Sequence, residues 1–275
     1  MSTDTADTAA PLKPTAAPQA SGRTVIFEQP LNERMRTFLR LDFLYSQALY
    51  HNESGTPWGS RAAVGSLIDI LAIISRGDLR SDALKEIERQ LALLGEYQAK
   101  PGVDPKRLES FIGNLGQLRA ELMSAGVACQ QPLRDSEFLN AIKHRSTIPG
   151  GACDFDLPAY LYWLSESGET RTHAFSQWLA MLRPLCDAVA ELLWLTRQFG
   201  RSRRECAQAG TMTITFDRDN PLQLLRIALP AESGLYPEVS GSHHRCNVRF
   251  LQWKGLTERA VQTGEDVSFL LTACS

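Results

Sequence analysis

Nothing in the 275 residues approaches the ~20 consecutive apolar positions that a helix needs to cross a bilayer. The N-terminus carries Asp4 and Asp7 and lacks the basic start and apolar stretch of a secretory signal. A cytoplasmic protein is expected. There is no C-x-x-C pair. The six cysteines, at 129, 153, 186, 206, 246 and 274, are separated by long, irregular gaps, which excludes a small disulfide scaffold and predicts reduced thiols. H-E-x-x-H, G-x-x-x-x-G-K-[ST], G-x-G-x-x-G and G-x-S-x-G are all absent. His243 and His244 are adjacent, so in a strand they point to opposite faces and do not share an ion. Asp156 reads as a helix cap rather than as half of an Asp154-x-Asp156 cation site. Pro149-Gly150-Gly151 has no following Lys to support an anion cradle. No metal site, no cofactor and no catalytic constellation is expected, and no enzyme. Charge of one sign is lacking too. The formal net charge of −2 argues against a dedicated nucleic-acid binder.

What is present is ordinary globular material, 43% hydrophobic and 22% charged, enough to bury a core. Residues 1–22 are Ala, Thr, Pro, Asp and Ser with little to bury, and predict a disordered tail. Residues 24–28 read as a short strand stopped by Pro30. Asn32 caps a helix to about Tyr50, and an apolar helix follows from Ser60 to Ser75, ended by Gly77 in a left-handed conformation. Leu84, Ile87, Leu91, Leu94 and Tyr97 recur at steps of three and four. After Pro101-Gly102, Leu108, Phe111, Ile112, Leu115, Leu118 and Leu122 repeat the stripe. This is a long antiparallel helical hairpin, whose seam serves either internal packing or dimerisation. Asp135 begins a further helix, Asp156 a short one, and the stretch from Ala174 to Phe199 is a last helix that Pro184 kinks or splits. From Gly210 the period shifts to two: 211–216, 222–229, 245–253 and 267–273 read as strands. Helices first and strands last make an α+β protein. The expected division is a mainly helical domain over 23–205 and an antiparallel β domain over 206–275, which the strand near residue 25 joins.

Arginine is the conspicuous residue. Arg197, Arg201, Arg203 and Arg204 cluster at the expected end of the last helix, either as a solvated helix terminus or as the anchor of a nucleic-acid adaptor. Arg245, Asn247 and Arg249 would share one face of a strand while Cys246, Val248 and Phe250 take the other. Arg226 has a similar place on another strand. Between Arg197 and Lys254 nine Lys or Arg oppose five Asp or Glu, a surplus of +4, which leaves about −6 for the rest of the chain. Such segregation suits an anion- or peptide-binding surface, or an ordinary exposed sheet face.

The segments TVIFEQPLNERMRTFLRLDFL (24–44), SRGDLRSDALKEIERQ (75–90), STIPGGACDFDLP (146–158), LYPEVSG (235–241) and RCNVRF (245–250) resemble the ZapD family of cell division proteins. The resemblance implies a helical domain plus a β domain assembled as a homodimer at the mid-cell division site. It implies binding to the C-terminal tail of the tubulin-like protein FtsZ and bundling of FtsZ filaments, with neither nucleic acid nor membrane as partner. Matched to its motifs, the residues expected to meet that tail are Arg36, Arg76, Arg245 and Arg249, with Arg226 beside them.

Overall fold

A computed structural model describes residues 22–98, 102–126, 128–216, 222–241 and 245–275. The expected tail therefore lies, but for Gly22, outside the described residues, as do His243 and His244. The first strand, β1 (Thr24–Pro30), leads into α1 (Glu33–Glu53), where the Asn32 side chain accepts from the Met35 amide at 2.8 Å. Thr56 caps α2 (Pro57–Ile74) in the same way. α2 is the one described helix long and apolar enough to span a bilayer by length and composition, and half of it is buried against its neighbours in this fold. The hairpin is α3 (Leu79–Gln98) and α4 (Pro105–Ala125), with Asp104 capping and Pro105 opening α4. Three shorter helices follow, α5 (Gln131–Arg134), α6 (Glu137–Ser146) and α7 (Pro158–Ser165). The expected last helix is two, α8 (Gly168–Ala180) and α9 (Arg183–Gln198), separated just before Pro184.

Three local expectations are corrected. Ser136, not Asp135, caps α6; its hydroxyl accepts from Leu139 N at 3.3 Å, whereas Asp135 closes α5. Asp156 does not cap α7. It accepts from the Cys153 thiol and pairs with Arg145 at 3.5 Å, pinning the loop before the helix. Gly77 is not left-handed, because α2 ends at Ser75 in right-handed geometry.

The strands are β2 (Arg201–Ala207), β3 (Thr211–Thr215), β4 (Leu224–Pro230), β5 (Leu235–Gly241), β6 (Arg245–Gln252), β7 (Val261–Gln262) and β8 (Val267–Cys274). They form two antiparallel sheets. The first has the order β1-β4-β8-β2, so the N-terminal strand does join the β region. The second has the order β3-β6-β5, with β7 on β6. A two-residue turn joins β2 to β3. Ala209 (φ 47°) and Gly210 (φ 70°) are both left-handed, and the backbone of Thr263 lies where a Cβ on Gly210 would sit.

Side-chain alternation then builds three layers. Leu225, Ile227, Leu229, Val267, Phe269 and Leu271 of the first sheet meet Ile214, Cys246, Val248 and Phe250 of the second, with the Phe250 and Phe269 rings 4.9 Å apart. On the other side of the first sheet, Leu224 and Cys274 belong to the helical core instead. That core runs through α1, α2, α3, α4 and α9. Leu94, Leu108, Leu115 and Leu122 of the hairpin are buried in it, so their seam is used for packing within the chain. At the far end Phe138, Tyr160, Trp163 and Trp178 form an aromatic cluster joining α6, α7 and α8.

Candidate functional site

The outer face of the second sheet is set by β6. Arg245, Asn247 and Arg249 are exposed, whereas Cys246, Val248 and Phe250 are buried, as the period of two requires. β3 supplies Thr215, Thr213 and Thr211 opposite these three residues, and the Thr213 hydroxyl donates to Asn247 Oδ1 at 2.9 Å. On the other side Glu238 of β5 pairs with Arg249 at 2.8 Å. Both members of that pair are about half exposed, so water competes for the contact and its net worth is under ~1 kcal/mol. Among the described residues no carboxylate is paired with Arg245. The face is thus a hydroxyl-rich strip with two accessible guanidiniums about four residues apart on one strand.

The other expected residues lie elsewhere. Arg36 sits on α1, partly exposed, and pairs with the exposed Glu33 at 3.2 Å. Arg76 is exposed in the turn between α2 and α3, beside a cleft lined by Gly77, Asp78, Arg80, Gly126 and Arg134. Arg226 does not share the surface of Arg245 and Arg249. It lies on β4 between Leu225 and Ile227, which face the sandwich core, so its side chain is on the opposite side of the first sheet. There it donates to Glu28 at 2.9 Å and is half-buried. The Arg197–Arg204 cluster is also dispersed. Arg197 ends α9 and forms a bidentate pair with Glu28 at 2.9 and 2.8 Å, whereas Arg201, Arg203 and Arg204 belong to β2 and alternate between its faces.

Two carboxylates at the junction between helices and sheet were not singled out in the sequence. Glu86 on α3 is fully buried. Arg34 reaches it at 2.8 Å and Arg89 at 2.6 Å, while Gln90 and Gln223 donate at 3.3 and 2.9 Å. Burial alone would push its carboxyl up. The hydrogen bonds and charge of Arg89, followed by Gln223 and Arg34, outweigh it and hold the carboxyl below the usual glutamate range. Glu28 is likewise lowered, because Arg197 and Arg226 overcome its desolvation. Asp42, 3.7 Å from Arg197, is raised because burial dominates there and Glu28 adds a like charge. The hint was weak: Glu86 falls one position before Ile87 of the stripe, and nothing local shows that residues 34 and 223 converge on it. Among the described residues no group of three or more His, Cys, Asp or Glu is placed to hold a metal ion.

The chain folds as a helical bundle capped by a β sandwich that displays cations on its outer sheet, and its sequence matches proteins of cell division. The ZapD profile, described as a cell division protein, matches residues 39–249, a span that contains Arg76, Arg226, Arg245 and Arg249. Cell division protein ZapD of Methylococcus capsulatus is 37% identical over 251 residues, 91% of this chain and 98% of its own length. The proteins of the same name from Azoarcus sp. and Janthinobacterium sp. are 32% and 34% identical, each over 91% of this chain and 99% of its own length. The chain belongs to the ZapD family of cell division proteins.

Proposed function

We propose that the protein acts in division by binding the C-terminal tail of FtsZ and, as a two-fold dimer, linking neighbouring FtsZ filaments in the cytoplasm at mid-cell. The observation that carries this reading is the exposed pair Arg245 and Arg249 on one strand face, one without a carboxylate partner among the described residues and the other held only by an exposed Glu238. Guanidinium groups form bidentate bonds with carboxylates, and a flexible acidic tail orders against such a face at the moment of binding. Arg36 on α1 and Arg76 in the turn before α3, which match the family's motifs, lie away from this face and would meet the tail separately. Each engagement is weak by itself. A dimer meeting a filament that displays many tails gains effective concentration, so bundling needs no tight single site and no catalysis. The test is co-sedimentation of the Arg245→Glu/Arg249→Glu protein with FtsZ filaments. Loss of co-pelleting and of bundling, with mass by light scattering unchanged from the wild-type dimer, is the expected result. Normal co-pelleting refutes the reading.

A further inference from the structure

A hollow in the described structure lies beside, and not on, the strand face of Arg245 and Arg249. It is a cleft of about 370 Å³ where the end of α3 meets the open edge of the sandwich. Its apolar walls include Leu94 and Tyr97 of α3, Phe199 just after α9, Phe216 after β3, and Leu222 and Leu271. That volume falls in the range of sites that receive apolar groups from a ligand. Polar groups stand at one side: Arg201 and Arg203 of β2, with Ser202 and Ser275. Arg203 is paired with Glu205 at 2.5 Å, so of the two arginines lining the cleft Arg201 is the one without a paired carboxylate among the described residues. An aromatic surface leads away from the cleft. Tyr97 stacks on Phe199, and Phe111 packs edge-on against both Phe199 and Trp194. The guanidinium of Arg107 lies 5.5 Å over the Phe111 ring. Trp194 and Phe199 remain 37% and 38% exposed, costly for aromatic groups unless something covers them.

The cleft is continuous with the cationic strip. Thr215, which lines it, is the cross-strand partner of Arg245. A peptide lying along β3 therefore has Arg245 on one side and the cleft on the other. Apolar walls flanked by cations complement a segment that carries both apolar and acidic side chains. A second copy of this chain would bring arginines of its own to the same rim.

We propose that this cleft is the apolar socket of the peptide site: it buries a large hydrophobic side chain of the FtsZ tail while the tail's carboxylates meet Arg201 and, across β3, Arg245. The proposal rests on the reading given under Proposed function and adds the residues that would select hydrophobic content. The experiment is fluorescence anisotropy of a fluorescein-labelled FtsZ C-terminal tail peptide titrated with the full chain. Leu93 of α3 also lines the cleft, so Leu93→Trp fills it, and Arg201→Glu reverses the charge at its rim on an exposed strand. Each is expected to weaken binding about ten-fold, as is replacing the peptide's apolar residues by serine. If both variants bind like the wild type while Arg245→Glu/Arg249→Glu abolishes binding, the socket is overturned and the FtsZ reading stands. If the wild type does not bind the peptide, both fall. If Leu93→Trp instead changes the oligomeric mass and leaves peptide affinity unaltered, the cleft is a contact between copies and the socket is again overturned. Arg201→Glu leaves the core intact, so it remains decisive should Leu93→Trp fold poorly.

Discussion

Arginine does opposite work in two parts of this molecule. At the junction of helices and sheet, Arg34, Arg89, Arg197 and Arg226 are turned onto Glu86 and Glu28, carboxylates that belong to α3 and β1. On β6, Arg245 and Arg249 face outward, and the one carboxylate paired with either among the described residues is the exposed Glu238 on Arg249. The same side chain is a structural clamp where its partner is buried and supplied by the chain. It is available for a partner where the surroundings are wet and the counter-charge is loose. Counting arginines along the sequence therefore overstates the binding surface; what matters is whether an internal carboxylate already claims each one.

The largest effect should come from the clamp. Glu86→Ala leaves Arg34, Arg89 and Gln223 facing a void, and is expected to lower stability by about 3 kcal/mol in urea denaturation. Arg245→Glu/Arg249→Glu should leave the urea midpoint nearly where it was; a comparable loss there would erase the distinction between the two regions. Next comes acid. The carboxyls of Glu28 and Glu86 sit below their unfolded values, so their contribution is complete above about pH 4.3 and is lost as pH falls through the lowered folded values. Asp42 and Asp187 are raised, chiefly by burial, so their small penalty at neutral pH is relieved as pH falls through their raised values, before the clamps protonate. Stability should accordingly hold or rise slightly as pH first falls from neutrality and then drop as the clamps protonate. In Glu86→Gln the acid limb should be shallower, measured as urea midpoint against pH. An acid limb unchanged in that variant would remove Glu86 from the clamp. The smallest effect is at the outer face: Glu238→Ala should alter stability by under ~0.5 kcal/mol and tighten tail-peptide binding about threefold by freeing Arg249. Weaker binding would mean that Glu238 orients Arg249 rather than competing for it.

Elements governed by local periodicity were legible. The α3–α4 stripe, the Asn32 and Asp104 caps, and the alternation of Thr211–Thr215 and Arg245–Phe250 all give their structure from neighbouring residues alone. β2 was not legible, because Arg201–Cys206 forms a sheet edge with no buried face until Ala207, and its turn places an alanine at a left-handed position. β5 hid behind Pro237, which an edge strand tolerates. Of the arginines, Arg245 and Arg249 were placed by alternation. Arg226 obeys the same rule, but nothing nearby tells which side of a sheet lies under helices, and Glu28 is far away along the chain. The cleft between Tyr97, Phe199 and Phe216 is legible only once both sheets are assembled.

The order of the first sheet also bears on how the molecule is made. β1 emerges from the ribosome first, yet its neighbour β4 ends at Pro230, and β8, which separates β4 from β2, ends at Cys274. During translation the helices can gather early around their own local contacts. The opening strand, however, must wait for most of the chain, and the sheet opposite the arginine-bearing one is not complete until its last strand arrives. Truncated or stalled products would therefore hold a helical core beside an unfinished sandwich.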